Sequence, residues 1–428
     1  MRRPMTKELP SSPPATGRSA AFVAAGILLS RMSGFVRQRV FAYYFGLGDA
    51  ADAFIAAFKI PNFLQNLFGE GALSASFIPV YASLLARGDR RKADGLAGAV
   101  AALLGLMVAT LVVMGVLSTP WFVGAIAPGF TGAKRELTIA LVRILFPGAG
   151  LLVMSAWCLG VLNSHHRFLL SYAAGVMWNA AMIGALIFYG GAGLPRLAVI
   201  LAWGSVAGSA LQVAILVPVV VRVAPQLRFA IDTASEHVRA VIRNFVPVVV
   251  SRGVVQFSAY IDQWLATLLP GGAVAGLGNA QALYTLPVSL FAMSVSAAEL
   301  PAMSGAMGVD PAGFDLLRRR LDEGLRRIAF FVVPSAIAFL TLGDVIASLF
   351  FETGRFTHSD SVYVWGILAG STVGLLASTL GRLYSSTYYA LRDTRTPLRY
   401  ALVRVTLTTI LGYLFAIPLP MWLGLPLL

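Results

Sequence analysis

Apolar stretches of roughly 20 residues follow one another along the 428-residue chain, separated by short polar or basic turns. A bilayer core of about 30 Å takes about 20 helical residues to cross. The pattern predicts eleven helical spans, near 20–46, 51–85, 96–118, 137–162, 168–190, 197–221, 240–269, 274–306, 328–350, 361–391 and 398–418. A twelfth begins at Met421 and stops at Leu428, so the chain reads as truncated at its C-terminus within a span. No soluble domain or long linker interrupts the series.

Two spans depart from a uniform apolar helix. The second, about 35 residues, is too long for a straight crossing and carries Pro61, Gly69-Glu70-Gly71 and Pro79. It is predicted to be bent or broken, and broken membrane helices belong where freed backbone groups line a cavity. Asp52 and Lys59 share a face of it but stand about 10 Å apart, so each is expected to meet a partner elsewhere. The seventh span carries Arg252, Gln256 and Gln263 on one helical stripe, interrupted by Ala259. In lipid such a stripe looks inward, as cavity lining or as polar glue between helices. Gly204 and Gly208 form a GxxxG helix-packing signal and nothing more.

Composition agrees with the pattern. The chain is 57% hydrophobic and 12% charged, against about 25% charged in soluble domains. The net charge of +14 would suggest nucleic acid in a soluble protein. Here it follows topology, because cytoplasmic loops collect Lys and Arg. Twenty-one such residues fall in one alternating set of loops and four in the other, Lys134, Arg135, Arg196 and Arg355. The N-terminus is therefore expected in the cytoplasm, with residues 1–19 as a disordered basic tail and the chain crossing the membrane many times. Cys158 is alone and lies in a span, and the four histidines show no metal-ligand spacing, so no metal or cofactor is assigned. No Ser/His/Asp arrangement or phosphate loop is present, and the loops are short and basic. A membrane-embedded transferase and a non-transporting scaffold are thus disfavoured, and no enzyme activity is expected.

Charge inside the spans carries the functional signal. Eight basic residues but only four clear acids (Asp52, Glu70, Asp262, Glu299) lie within them. An arginine at mid-membrane costs about 2.5–3.5 kcal/mol and usually faces a cavity. The first span holds Arg31, Arg37 and Arg39 in SRMSGFVRQR. Arg31 lies roughly 16 Å deep. The three do not share one straight stripe, so either Gly34 bends the helix or they serve different walls; Arg37 and Arg39 could also snorkel outward. A cavity rich in guanidinium favours a phosphate-bearing substrate, gripped by bidentate hydrogen bonds. A faint repeat accompanies this: residues 60–83 resemble 286–304, and 128–144 resemble 353–367, with one 226-residue offset linking Pro61 to Pro287 and Phe130 to Phe356. The repeat predicts two parallel lobes, 20–230 and 231–428, around a central cavity.

The stretch SRMSGFVRQRVFAYYFGLGDAADAFIAAFKIPNFLQNLFGEGALSASFIPVYASLL (30–85) resembles the opening of the MurJ (MviN) lipid II flippases. So do APGF (127–130), LNSHHRF (162–168), FETGRFT (351–357) and YYALRDTRTP (388–397). The resemblance covers about 20–418 and implies an all-α, MATE-like transporter of the MOP exporter superfamily. The implied activity is flipping of lipid II, or of another undecaprenyl-pyrophosphate-linked saccharide as in O-antigen export, by alternating access. Membrane lipids and other cell-wall synthesis proteins are the implied partners, and nucleic acid is not one. By motif, the family's functional positions fall on Arg31, Arg37, Asp52, Glu70 and Arg382. Where members carry paired arginines after the LPN motif, Gln65 and Asn66 stand here; where they carry charge opening the eighth span, Gln281, Ala282 and Thr285 stand. Arg252 is expected to replace that missing C-lobe cation, facing the same cavity as Arg31. The residues expected to line the substrate site are Arg31, Arg37, Arg39, Asp52, Lys59, Glu70, Arg252, Gln256 and Arg382.

Overall fold

The computed structural model describes residues 17–165, 167–232, 234–293, 311–390, 393, 395–416 and 418–423. Most of the predicted tail, His166, Glu299, the 294–306 part of the eighth predicted span and the last five residues lie outside them. The described residues are helical, apart from loops and one isolated bridge between Thr353 and Phe356.

In the first half, α1 (Gly17–Phe45) is one uninterrupted helix. The second predicted span is broken twice, into α2 (Asp49–Phe68), α3 (Glu70–Ser76) and α4 (Ile78–Ala86). Gly69 is extended at the first break, and a Cβ there would strike the Gln65 carbonyl. There follow α5 (Arg90–Leu117), α6 (Thr119–Ile126), α7 (Gly132–Ser164), α8 (Phe168–Tyr189) and α9 (Leu194–Val223). The short α6, with Pro120 in its first turn, is not among the predicted spans.

The second half has α10 (Glu236–Thr267) and α11 (Ala273–Pro287), which runs into a π-turn at Val288–Met293. Next come α12 (Pro311–Phe351), kinked at Leu342, and α13 (His358–Val373), capped by Thr357 and Asp360 in a reciprocal box. Last are α14 (Leu375–Ala390), α15 (Arg395–Ala416) and α16 (Pro418–Leu423). The tenth predicted span is thus not one helix: it breaks at Gly374 and bends by 46° between α13 and α14.

By length and hydropathy alone four helices can cross a membrane: Arg90–Leu117, Gly132–Ser164, Leu194–Val223 and Leu317–Phe351. The bent pair α13–α14 makes a fifth if it is one span. The other predicted spans coincide with helices that are short, broken or charged. The protein is a multi-pass membrane protein, and the predicted all-α class holds.

Packing divides the helices around separate cores. The larger core joins α1, α2, α4, α5, α7, α8 and α9, with Phe54, Tyr81, Leu141 and Leu201 inside it. A second gathers around α11–α14, with Leu283, Ile328, Phe351 and Leu368. A small third cluster lies between them, formed by Ala56, Ala127, Phe130, Ala266 and Val274. Gly204 and Gly208 lie against Ala185, Ala181 and Trp178, so the GxxxG pair packs α9 on α8 as expected. The helix α10 does not keep to one side: Val238 and Val241 join the larger core, while its later turns meet α11 and α15. Two matching helices, α7 and α13, start at Gly132 and His358, separated by the same 226-residue offset as the sequence repeat.

Candidate functional site

The two helical groups meet along α1, α2, α10 and α11, and most of the predicted site residues lie on this seam. At one end the seam is clamped. Asp52, in the first turn of α2, is 1% exposed and accepts three hydrogen bonds. Two come from the first turn of α11, Gly272 N–H at 2.7 Å and Ala275 N–H at 2.8 Å; the third is Lys134 Nζ at 2.7 Å. The carboxylate therefore caps α11 from outside its own helix, where the free N–H groups and the helix dipole favour an anion. Lys134 also reaches Asp49 at 2.9 Å and lies over the Phe130 ring at 4.4 Å. Around this point the backbones touch. Gly129 lies against the Thr267 carbonyl, and Gly46 against the Arg355 carbonyl. Gly354, at φ +60°, lies against Tyr43, whose carbonyl accepts from Arg355 N–H at 2.9 Å.

Further along, α1 runs between the two groups and hands its polar residues to both. Arg37 turns toward the larger one. Its guanidinium sits 4.8 Å from the Trp178 ring centroid and 5.9 Å from that of Phe58, with Nη1 3.6 Å from Met182 Sδ. The aromatic faces attract the cation. Its buried Nε has no hydrogen-bond partner among the described residues. Gln38 and Arg39 turn the other way, to Asn279 Oδ1 at 3.2 Å and the Leu349 carbonyl at 2.8 Å. Phe35 packs edge-on to Phe350, 4.8 Å between centroids.

The α2–α10 seam carries a third set. Tyr260 OH donates to the Lys59 carbonyl at 2.8 Å and its ring meets Phe63. Lys59 and Asp262 carry opposite charges near enough to interact, and Asp262 interacts likewise with Arg404 on α15. Nearer the other end, Arg252 Nη1 donates to the Asn66 carbonyl at 2.8 Å, and Phe68 stacks on Phe245.

Several expectations change. Arg37 and Arg39 serve different walls, and this needs no bend at Gly34. Arg39 bridges to the end of α12 and is not placed with Arg37. Asp52 is enclosed by its three donors and is not open to a substrate. Its partners and that of Lys59 do lie elsewhere, on α7, α11 and α10. Arg252 is committed to the Asn66 carbonyl at the end of α2. Arg31, Glu70 and Arg382 are exposed and Gln256 is half-buried. Sequence reasoning missed Trp178 and Asn279, which carry no local signal. It passed over Lys134, although that residue is one of only four cations in its set of loops. Among the described residues no group of three or more His, Cys, Asp or Glu could hold a metal ion.

An α-helical multi-pass membrane protein with two helical groups, clamped at one end and carrying arginines along their seam, has the build of a membrane transporter. The family described as "Lipid II flippase MurJ" matches residues 41–427, and the chain belongs to it. A lipid II flippase MurJ from Burkholderia cenocepacia is 30% identical over 96% of this chain and 80% of its own length. The fold is similar to a solved lipid II flippase MurJ in an inward closed conformation, with TM-score 0.78 and 24% identity over 93% of this chain and 82% of that one. It is also similar to an inward-facing MATE family multidrug transporter of the MOP superfamily, with TM-score 0.73 and 14% identity over 93% of this chain and 90% of that one.

Proposed function

We propose that this protein flips lipid II from the cytoplasmic to the outer leaflet of a bacterial inner membrane, with its N-terminus in the cytoplasm. The observation that carries the reading is the family match along residues 41–427, joined to a half-buried arginine held between rings with hydrogen-bonding capacity unused. The pyrophosphate of the substrate needs such donors. The clamped end holds the cation-poor loops, so it is assigned to the outer face, closed in this conformation. Residues 20–230 and 231–428 then act as the two lobes that rock against each other.

Roles divide accordingly. Arg31, Arg37 and Arg382 are proposed to grip the headgroup phosphates, with Lys59, Gln256 and Glu70 lining its path. Asp52 and Arg39 are proposed to hold the lobes together at the closed end. The decisive experiment is rescue of a MurJ-depleted bacterium. Arg37→Ala is expected to abolish rescue at normal membrane abundance. Full growth on Arg37→Ala would remove the arginine from the site. Failure of the unaltered chain to rescue would instead direct attention to another polyprenyl-pyrophosphate-linked saccharide.

A further inference from the structure

The break between α2 and α3 leaves a carbonyl without its helical donor. In an unbroken helix the Asn66 carbonyl would accept from Glu70 N–H. With Gly69 extended, no backbone N–H among the described residues reaches it. An orphan carbonyl inside a membrane protein is costly unless another donor arrives. That donor comes from α10: Arg252 Nη1 at 2.8 Å. The end of a helix also favours a cation through its dipole. No carboxylate forms an ion pair with Arg252 among the described residues; Glu70, at the start of α3, is exposed.

A second feature makes room for this contact. A Cβ on Gly71 would fall on the Arg252 guanidinium, meeting its central carbon and both terminal nitrogens. Gly71 has no left-handed backbone, so its lack of a side chain matters here for space alone. The glycine after the break and the arginine from the facing helix are thus two halves of one contact. Leu67 against Gly253 and Phe68 on Phe245 continue it on either side.

We infer that Arg252 is a positioning residue: its guanidinium, admitted by Gly71, caps the broken end of α2 and fixes the α2–α3 break against α10. Parting of α2 from α10 during transport must then break the Arg252–Asn66 bond and release the break. The role is independent of which lipid is carried, and it is distinct from gripping substrate.

The test is hydrogen exchange of amides 69–73 in lipid nanodiscs without substrate. A charge-assisted hydrogen bond is typically worth enough to change local opening about ten- to a hundredfold. Arg252→Ala is expected to speed exchange by that factor. Gly71→Ala should do the same, because the new methyl evicts the guanidinium while leaving the charge in the chain. The double variant should be no faster than either single one, since both remove one contact. Arg252→Lys should recover part of the protection, as an ammonium can still cap Asn66. Wild-type exchange in either alanine variant, multiplicative effects in the double, or no recovery with lysine would each overturn the inference. Because no substrate is present, these results stand apart from whether lipid II is the cargo.

Discussion

Asp52 offers the sharpest perturbation of the closed end. In Asp52→Asn the shape is kept but the charge is lost. The side chain is 1% exposed and accepts from Lys134 Nζ, Gly272 N–H and Ala275 N–H at 2.7, 2.7 and 2.8 Å. Removing one partner of a buried, hydrogen-bonded ion pair costs about 3–5 kcal/mol. An amide retains one acceptor oxygen and sets two donors among donors, so we take the lower end, about 3 kcal/mol. At about 1.4 kcal/mol per factor of ten, that shifts the balance between closed and open ends by about a hundredfold. The reporter is a cysteine at Ala127, 1% exposed in the small cluster between the lobes, in a chain whose buried Cys158 has been replaced. Maleimide labelling of Ala127→Cys should run about a hundredfold faster when Asp52→Asn is added. Asp49→Asn is the control: its carboxylate also reaches Lys134 but is 72% exposed, and exposed pairs contribute about 0–1 kcal/mol. Labelling at the unperturbed rate in Asp52→Asn, or equal acceleration by Asp49→Asn, would refute the clamp.

Two further outcomes bear on the same geometry. Gly129 lies against the Thr267 carbonyl, a backbone group that cannot turn aside. Gly129→Val should therefore open the clamped end by about 1–3 kcal/mol, seen as faster labelling at Ala127→Cys with an unchanged helical spectrum. Topology is checked at Arg87 and Arg319, both exposed and both in the cation-rich set of loops. Cysteines there should resist an impermeant reagent added to intact cells and react once the membrane is permeabilised. Reaction from outside at either would reverse the orientation.

Much of the fold is legible because membrane helices announce themselves locally. The hydrophobic lengths set α5, α7, α9 and α12 to within a few residues, apart from the basic extensions at the starts of α5 and α12. The break in the second span can be read from Gly69-Glu70-Gly71, since such an interruption survives in a membrane protein only where its freed backbone groups are covered or line a cavity. The bend at Gly374 escapes for a different reason: the same span also holds Gly366, Gly370 and Gly381, and nothing in the sequence marks which glycine ends the helix. The repeat is faint as residues but sound as spacing, because the loops that enter α7 and α13 each bury an aromatic ring, Phe130 at 3% and Phe356 at 2% exposure.

Partners are less legible than faces, and the reason is separation along the chain. Helical period suggests that Arg252 looks inward, and the cost of charge in lipid suggests the same of Asp52 and Arg37; neither can tell at what. Asp52 meets a lysine 82 residues away and backbone N–H groups 220 and 223 residues away. Backbone donors have no identity in the sequence at all, so a carboxylate that caps a distant helix looks the same as one awaiting substrate. Arg252 shows the same blindness from the other side. Its acceptor is the carbonyl of Asn66, 186 residues away, made available by the helix break at Gly69. Any residue type at position 66 would present that carbonyl. What the sequence does record is the space the contact needs, in the absence of a side chain at Gly71. For Arg252, the informative sequence feature is therefore the small residue that admits it rather than an acid that pairs with it.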